Sequence, residues 1–132
     1  MTGHYCEPFG GSAAVLINRP ISRIETYNDL NHEVVRFFRV IREQPHELIR
    51  LLALTPYSRE EFTNCIKSSD DCSSLEKARQ LYVRIEQSRN SVPCPTPGNW
   101  SYSRASGGVS SSWLNKQINI FSIANRLSKV QI

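Results

Sequence analysis

The chain has 132 residues, enough for one domain whose core can stabilise it unaided. Its apolar fraction of 39% and charged fraction of 21% are those of a globular chain, and no apolar run nears the roughly 20 residues that cross a bilayer. A formal charge of +4 leans toward a polyanionic partner, and the lack of a basic-then-apolar leader makes the cytosol the expected compartment.

In chain order, residues 4–9 are expected to form a short strand, Gly10-Gly11 a turn, and Ser12 to Asn18 a short helix with Ser12 near its N-terminus. Arg19-Pro20 stops that helix, and the alternation of Ile21 to Tyr27 predicts a second strand. Together these make a βαβ unit with parallel strands. From Asn31 the period changes: Val34, Phe37, Phe38 and Ile41 lie on the stripe of a helix that ends before Pro45. Pro45 suits the first turn of a second helix, which stops at Thr55-Pro56. Ser58-x-x-Glu61 has the form of a capping box and opens a third helix through about Ile66. A fourth runs from Ser74 to Arg89. Residues 90–112, rich in Pro, Gly and Ser around Trp100 and Tyr102, are expected to be a loop or an irregular hairpin. Trp113 to Ser128 is again helical in pattern, and Val130-Gln131-Ile132 begins a further strand, an ending expected of a fragment.

Two features carry chemistry. Gly10 and Gly11 follow the first strand, where a ligand sits close to backbone in open α/β sheets, and Asp29 closes the second strand, where an acid can accept hydrogen bonds from two ribose hydroxyls. The same glycines also serve a plain turn, and Asp29 also suits the start of the helix beginning near Asn31. Neither G-x-G-x-x-G nor G-K-[ST] is present, so a nucleoside without phosphates fits better than a dinucleotide. Cys6, Cys65, Cys72 and Cys94 form no C-x-x-C pair and His4, His32 and His46 are dispersed, so no metal site is expected. Arg36, Arg39 and Arg42 recur along one helix and Lys77, Arg79, Arg84 and Arg89 along another, with Arg104 in the following loop. Such residues suit phosphate contacts, or a solvated face paired with Glu43, Glu47, Glu76 and Glu86. Trp100 and Tyr102 suit either a base contact or an anchor for the loop.

The stretch YCEPFGGSAAVL (5–16), then Asn28-Asp29-Leu30-Asn31 and VVRFFRVIRE (34–43), resembles the D12 class, Dam-like, of adenine-specific DNA methyltransferases. TPYSREEF (55–62), YVRIEQSR (82–89) and the segments at 111–118 and 124–132 continue the resemblance. It implies an α/β fold: part of a Rossmann-like S-adenosylmethionine-dependent methyltransferase fold, with a mostly helical target-recognition insertion. Residues 1–44 would be the cofactor-binding βαβ part, 45–115 the recognition region, and 116–132 the return to the methyltransferase domain. It also implies that Glu7, Pro8, Phe9, Gly10 and Gly11 lie against S-adenosylmethionine and that Asp29 binds its ribose. Double-stranded DNA would be the partner, met by Arg89, Asn90, Trp100, Tyr102 and Arg104. The Asp-Pro-Pro-Tyr motif that holds the target amine in this family has no counterpart, since the chain contains no Pro-Pro. The expectation is therefore a fragment, inactive alone, from a restriction-modification or phage-like system. The alternatives are a non-catalytic DNA-binding remnant and a helical interaction domain without cofactor.

Overall fold

The computed structural model describes residues 3–91, 94–102, 116–117 and 119–132. Strand β1 (His4–Glu7) pairs with β2 (Ile24–Tyr27) in parallel, His4 opposite Ile24 and Glu7 opposite Tyr27, with helix α1 (Ala14–Asn18) as the crossover. Both strands are shorter than the sequence pattern suggests. Pro8 has no N–H to continue the ladder, and Ser22 turns its N–H to the Glu25 carboxylate at 3.0 Å instead of to a strand. Ser12 does not cap α1; the N-cap is Ala13, fully buried and left-handed at φ 55°, its N–H donating to Gly10 O at 2.8 Å. The expected C-terminal strand is present as one parallel bridge between Gln131 and Thr26, held by Tyr27 N to Gln131 O at 2.8 Å and Gln131 N to Glu25 O at 2.9 Å. It lies on the side of β2 away from β1.

The helices obey their local signals closely. In α2 (His32–Glu43) the Asn31 side chain caps Glu33 N at 3.0 Å, and α3 (Pro45–Ala53) opens on its proline. Ser58 caps α4 (Arg59–Ile66) through Glu61 N at 3.1 Å, but only half of the capping box forms. The Glu61 carboxylate instead takes Arg79 Nη1 at 2.6 Å. Ser73 caps α5 (Ser74–Glu86), which ends three residues before the pattern suggests, in a short 3-10 turn at Arg89–Ser91. A second 3-10 turn, Pro97–Asn99, lies in the Pro-rich region, closed by reciprocal bonds of Thr96 and Asn99. Helix α6 (Asn119–Leu127) follows; Trp113 to Asn115 and Ile118, expected in it, lie outside the described residues.

One core joins these elements. Helix α2 packs on α5 and α6, and Leu16, Ile41, Leu48, Leu52, Phe62 and Leu127 are fully buried, each side chain worth about 1.5–3 kcal/mol. Glu25 and Tyr27 point from β2 into this side, while Ile24 and Thr26 face outward. Among the described residues no helix is long and apolar enough to cross a membrane.

Candidate functional site

The C-terminal ends of the two strands are tied to each other. Asn28 N donates to Glu7 O and Gly10 N to Asn28 O, each at 2.9 Å. Gly10 is required by packing: a Cβ there would stand 2.2 Å from the buried Tyr27 ring. Gly11 is favoured by its backbone, at φ +50°, and a Cβ there would meet nothing within 4 Å. Beneath the turn Tyr27 Oη donates to Gly11 O at 2.6 Å. Burial, then the Asp29 and Glu7 carboxylates, hold the phenol far above its ordinary pKa, so it remains a neutral donor.

Asp29 meets this turn directly. Its Oδ2 accepts from Gly11 N and its Oδ1 from Asn31 N, both at 2.8 Å. These backbone donors, Asn31 first, hold its pKa below the ordinary carboxylate range. A carboxylate offers about four acceptor sites, so each oxygen keeps one free. Of the two roles open to Asp29 in the sequence, the structure shows the one at the start of α2: it braces the N-cap Asn31, and its other oxygen holds the glycine turn.

Gly11, Asp29 and Asn31 form one rim of a cavity of about 660 Å³. Phe37 of α2, Tyr82 of α5 and Ile120 of α6 are among its apolar walls. On another part of its lining Lys116 Nζ pairs with Glu86 Oε2 at 2.7 Å. The size and the apolar lining with few polar groups are those of a small-molecule site.

Of the residues singled out from the sequence, Gly11 and Asp29 line this cavity. Gly10 lies against Tyr27, Glu7 is half-buried and accepts from Tyr5 Oη at 2.7 Å, and Pro8 and Phe9 are exposed, Phe9 by 78%. Tyr27, Tyr82 and Lys116 were not picked out as site residues in the sequence. Tyr27 carries a signal, as an inward position of an alternating strand, but its work on the glycine turn depends on the strand register.

In the helical region several cations are committed to the fold. Arg39 and Arg42 donate to the carbonyls of Ile132 (3.3 Å) and Val130 (2.8 Å), Arg79 pairs with Glu61 and Glu76, and Arg84 pairs with Glu33 at 2.6 Å. Arg89 is exposed. Trp100 packs against Tyr57 and Tyr102, with ring centroids 5.7 and 5.9 Å away, and Tyr102 is 61% exposed. Asn90 lies in the 3-10 turn after α5, and Arg104 lies outside the described residues. Burial pushes the Cys65 thiol up to about 12, which makes it a packing group and not a nucleophile. Among the described residues no cluster of His, Cys, Asp and Glu is placed to hold a metal ion.

Parallel strands joined by a crossover helix, with a ligand-sized cavity at their carboxyl ends, define an α/β protein built from a small parallel sheet and packed helices. The model of the D12 class N6 adenine-specific DNA methyltransferase family matches residues 2–92, and the chain belongs to that family. No curated protein matches the chain.

Proposed function

We propose that this chain is the cofactor-binding and DNA-facing part of an S-adenosylmethionine-dependent methyltransferase acting on adenine N6 in double-stranded DNA. Its sheet is then the start of a Rossmann-like fold, with residues 1–44 and 116–132 forming the cofactor part and 45–115 the recognition region. Family membership supports the activity class and the cofactor. One observation carries the site: the Asp29 carboxylate is pinned by two backbone N–H groups at the rim of the 660 Å³ cavity.

The residues fit the cofactor on two counts. Asp29 keeps one acceptor site per oxygen for two ribose hydroxyls, and the turn offers Gly11 with open space where a side chain would stand. When bound, S-adenosylmethionine supplies a methyl group on a sulfonium centre. The chain's own part is to fix the sugar through Asp29 and to exclude water with the walls from α2, α5 and α6. Tyr27 keeps the glycine turn in place from below. Arg89, Asn90, Trp100, Tyr102 and Arg104 belong to the surface offered to DNA.

These 132 residues contain no Asp-Pro-Pro-Tyr. An adenine amine whose lone pair is delocalised into its ring needs acceptors to hold it, so the chain is expected to bind without turning over. Titration calorimetry with S-adenosylmethionine tests the site: the chain should give heat and Asp29→Ala should abolish it. Heat unchanged in Asp29→Ala sinks the assignment. Tritium transferred from labelled S-adenosylmethionine to duplex DNA by the 132-residue chain would refute the expected inactivity.

A further inference from the structure

Trp100 is held in place from several directions. Its backbone bridges Ser88, Ser101 N donates to Gln87 O at 2.8 Å, and Tyr57 Oη donates to Ser101 O at 2.9 Å. Its indole N–H is buried with no hydrogen-bond partner among the described residues, so packing and these backbone bonds orient the ring. Besides Tyr57, two further groups rest on that ring. The Arg59 guanidinium, from the first turn of α4, lies 5.5 Å from its centre, and the Tyr102 ring lies tilted at 36° beside it. Arg59 and Tyr102 are both exposed, and Arg59 forms no ion pair with a described residue. Arg79 and Arg84 of neighbouring α5 are, by contrast, already spent on carboxylates.

We infer that Arg59 touches DNA together with Tyr102, and that Trp100 serves the same surface from beneath them. Tyr102 stacks on an unpaired nucleobase and Arg59 takes a phosphate beside it, with Trp100 as the positioning residue beneath both. The inference rests on the DNA reading above and adds Arg59 to it. An aromatic face accepts any base, because every base has a π face. A guanidinium lying on a ring still presents its donors as a fork that matches phosphate oxygens. Arg89 directly follows Ser88, the residue bridged to Trp100, and adds a second cation to the same stretch. An acidic protein would use the cations and leave the Tyr102 ring idle; nucleic acid uses both.

The test is fluorescence anisotropy of the 132-residue chain with a mixed-sequence DNA duplex bearing one unpaired adenine, read across a salt series. Tyr102→Ala should weaken binding by about tenfold or more, and Tyr102→Phe, which keeps the ring, should not. Arg59→Gln should lower the salt slope by about one. Arg23→Gln, which removes the same charge from the segment before β2, should change the slope less. Both contact variants should keep the wild-type thermal midpoint and the heat with S-adenosylmethionine. Trp100→Leu should weaken DNA binding only together with a lowered midpoint. Tyr102→Ala binding like wild type, or equal slopes for Arg59→Gln and Arg23→Gln, would overturn the inference. A wild-type chain that binds no DNA would overturn both it and the DNA reading, while the calorimetric heat judges the Asp29 site separately.

Discussion

One carboxylate stands near the start of β2 and another just past its end, and the fold treats them in opposite ways. At the buried end, Glu25 is 4% exposed and accepts four hydrogen bonds: two from Arg126 (2.6 and 2.9 Å), one from Arg19 (3.1 Å) and one from Ser22 N (3.0 Å). Oε1 takes three of these bonds and Oε2 one, and burial keeps any remaining acceptor site away from a ligand. At the open end, Asp29 accepts two bonds, both from backbone, and faces the cavity. Both carboxyls are held below their ordinary range, Glu25 chiefly by the Arg126 guanidinium and Asp29 by the N–H groups of Asn31 and Gly11. A depressed pKa therefore does not separate a structural acid from a binding one. What separates them is whether a free acceptor site faces open space: Asp29 lines the cavity and Glu25 is buried.

Glu25 clamps three elements, since Arg126 of α6 also donates to Leu16 O of α1 at 2.7 Å. Glu25→Ala leaves Arg126, with a side chain only 12% exposed, without its counter-charge. That should cost about 3–5 kcal/mol in urea unfolding, the usual penalty for breaking a buried pair from one side. A loss below about 1 kcal/mol would show the clamp to be ornamental. Gly10→Ala comes next: the added methyl would stand 2.2 and 2.5 Å from the Tyr27 ring, and overpacking of this kind costs about 1–3 kcal/mol. The measured midpoint should fall, and Gly11→Ala should fall for a different reason, its positive φ, with no clash to relieve.

The helices were legible because their punctuation is local: Pro45 at the head of α3 and Ser58 as the cap of α4 each act within one turn. The parallel pairing of β1 and β2 was legible from the spacing of strand, glycine turn and helix. The strand ends were not, because Pro8 and the Ser22–Glu25 bond cut short an alternation that local pattern extends. The site was half legible. Gly11 and Asp29 meet as their spacing suggests, but Gly10 makes room for Tyr27, a residue distant in sequence. The stripe of α2 told which face turns inward and could not tell that Phe37 borders a cavity, since that depends on the way α5 and α6 fail to fill the space beside it. The arginines of α5 were open between solvated face and DNA contact; Arg79 and Arg84 prove to be paired with carboxylates of α2, α4 and α5.

Acid titration offers the mildest perturbation and still distinguishes the two carboxylates. Each has a folded pKa below its unfolded value, so each contributes stability that is complete above the unfolded value of about 4 and is lost as pH falls through the folded one. Unfolding midpoints should thus hold level from neutral pH to about 5 and then drop. Glu25→Gln should flatten most of that drop, because protonating Glu25 releases Arg126 and Arg19 inside the protein. Asp29→Asn should flatten only the smaller part of that drop, since Asp29 stands at an open rim where water screens its charge and partly replaces its bonds. Its effect should appear instead in binding. A carboxylate held by Gly11 and Asn31 stays ionised to lower pH than a free one, so the heat with S-adenosylmethionine should be flat down to the bottom of the ordinary carboxylate range. Asp29→Asn, with one oxygen exchanged for a donor, should weaken that heat at every pH. An acid limb that responds equally to both variants would mean that the open end of β2 is as structural as the buried one, and that Asp29 has no acceptor to spare for a sugar.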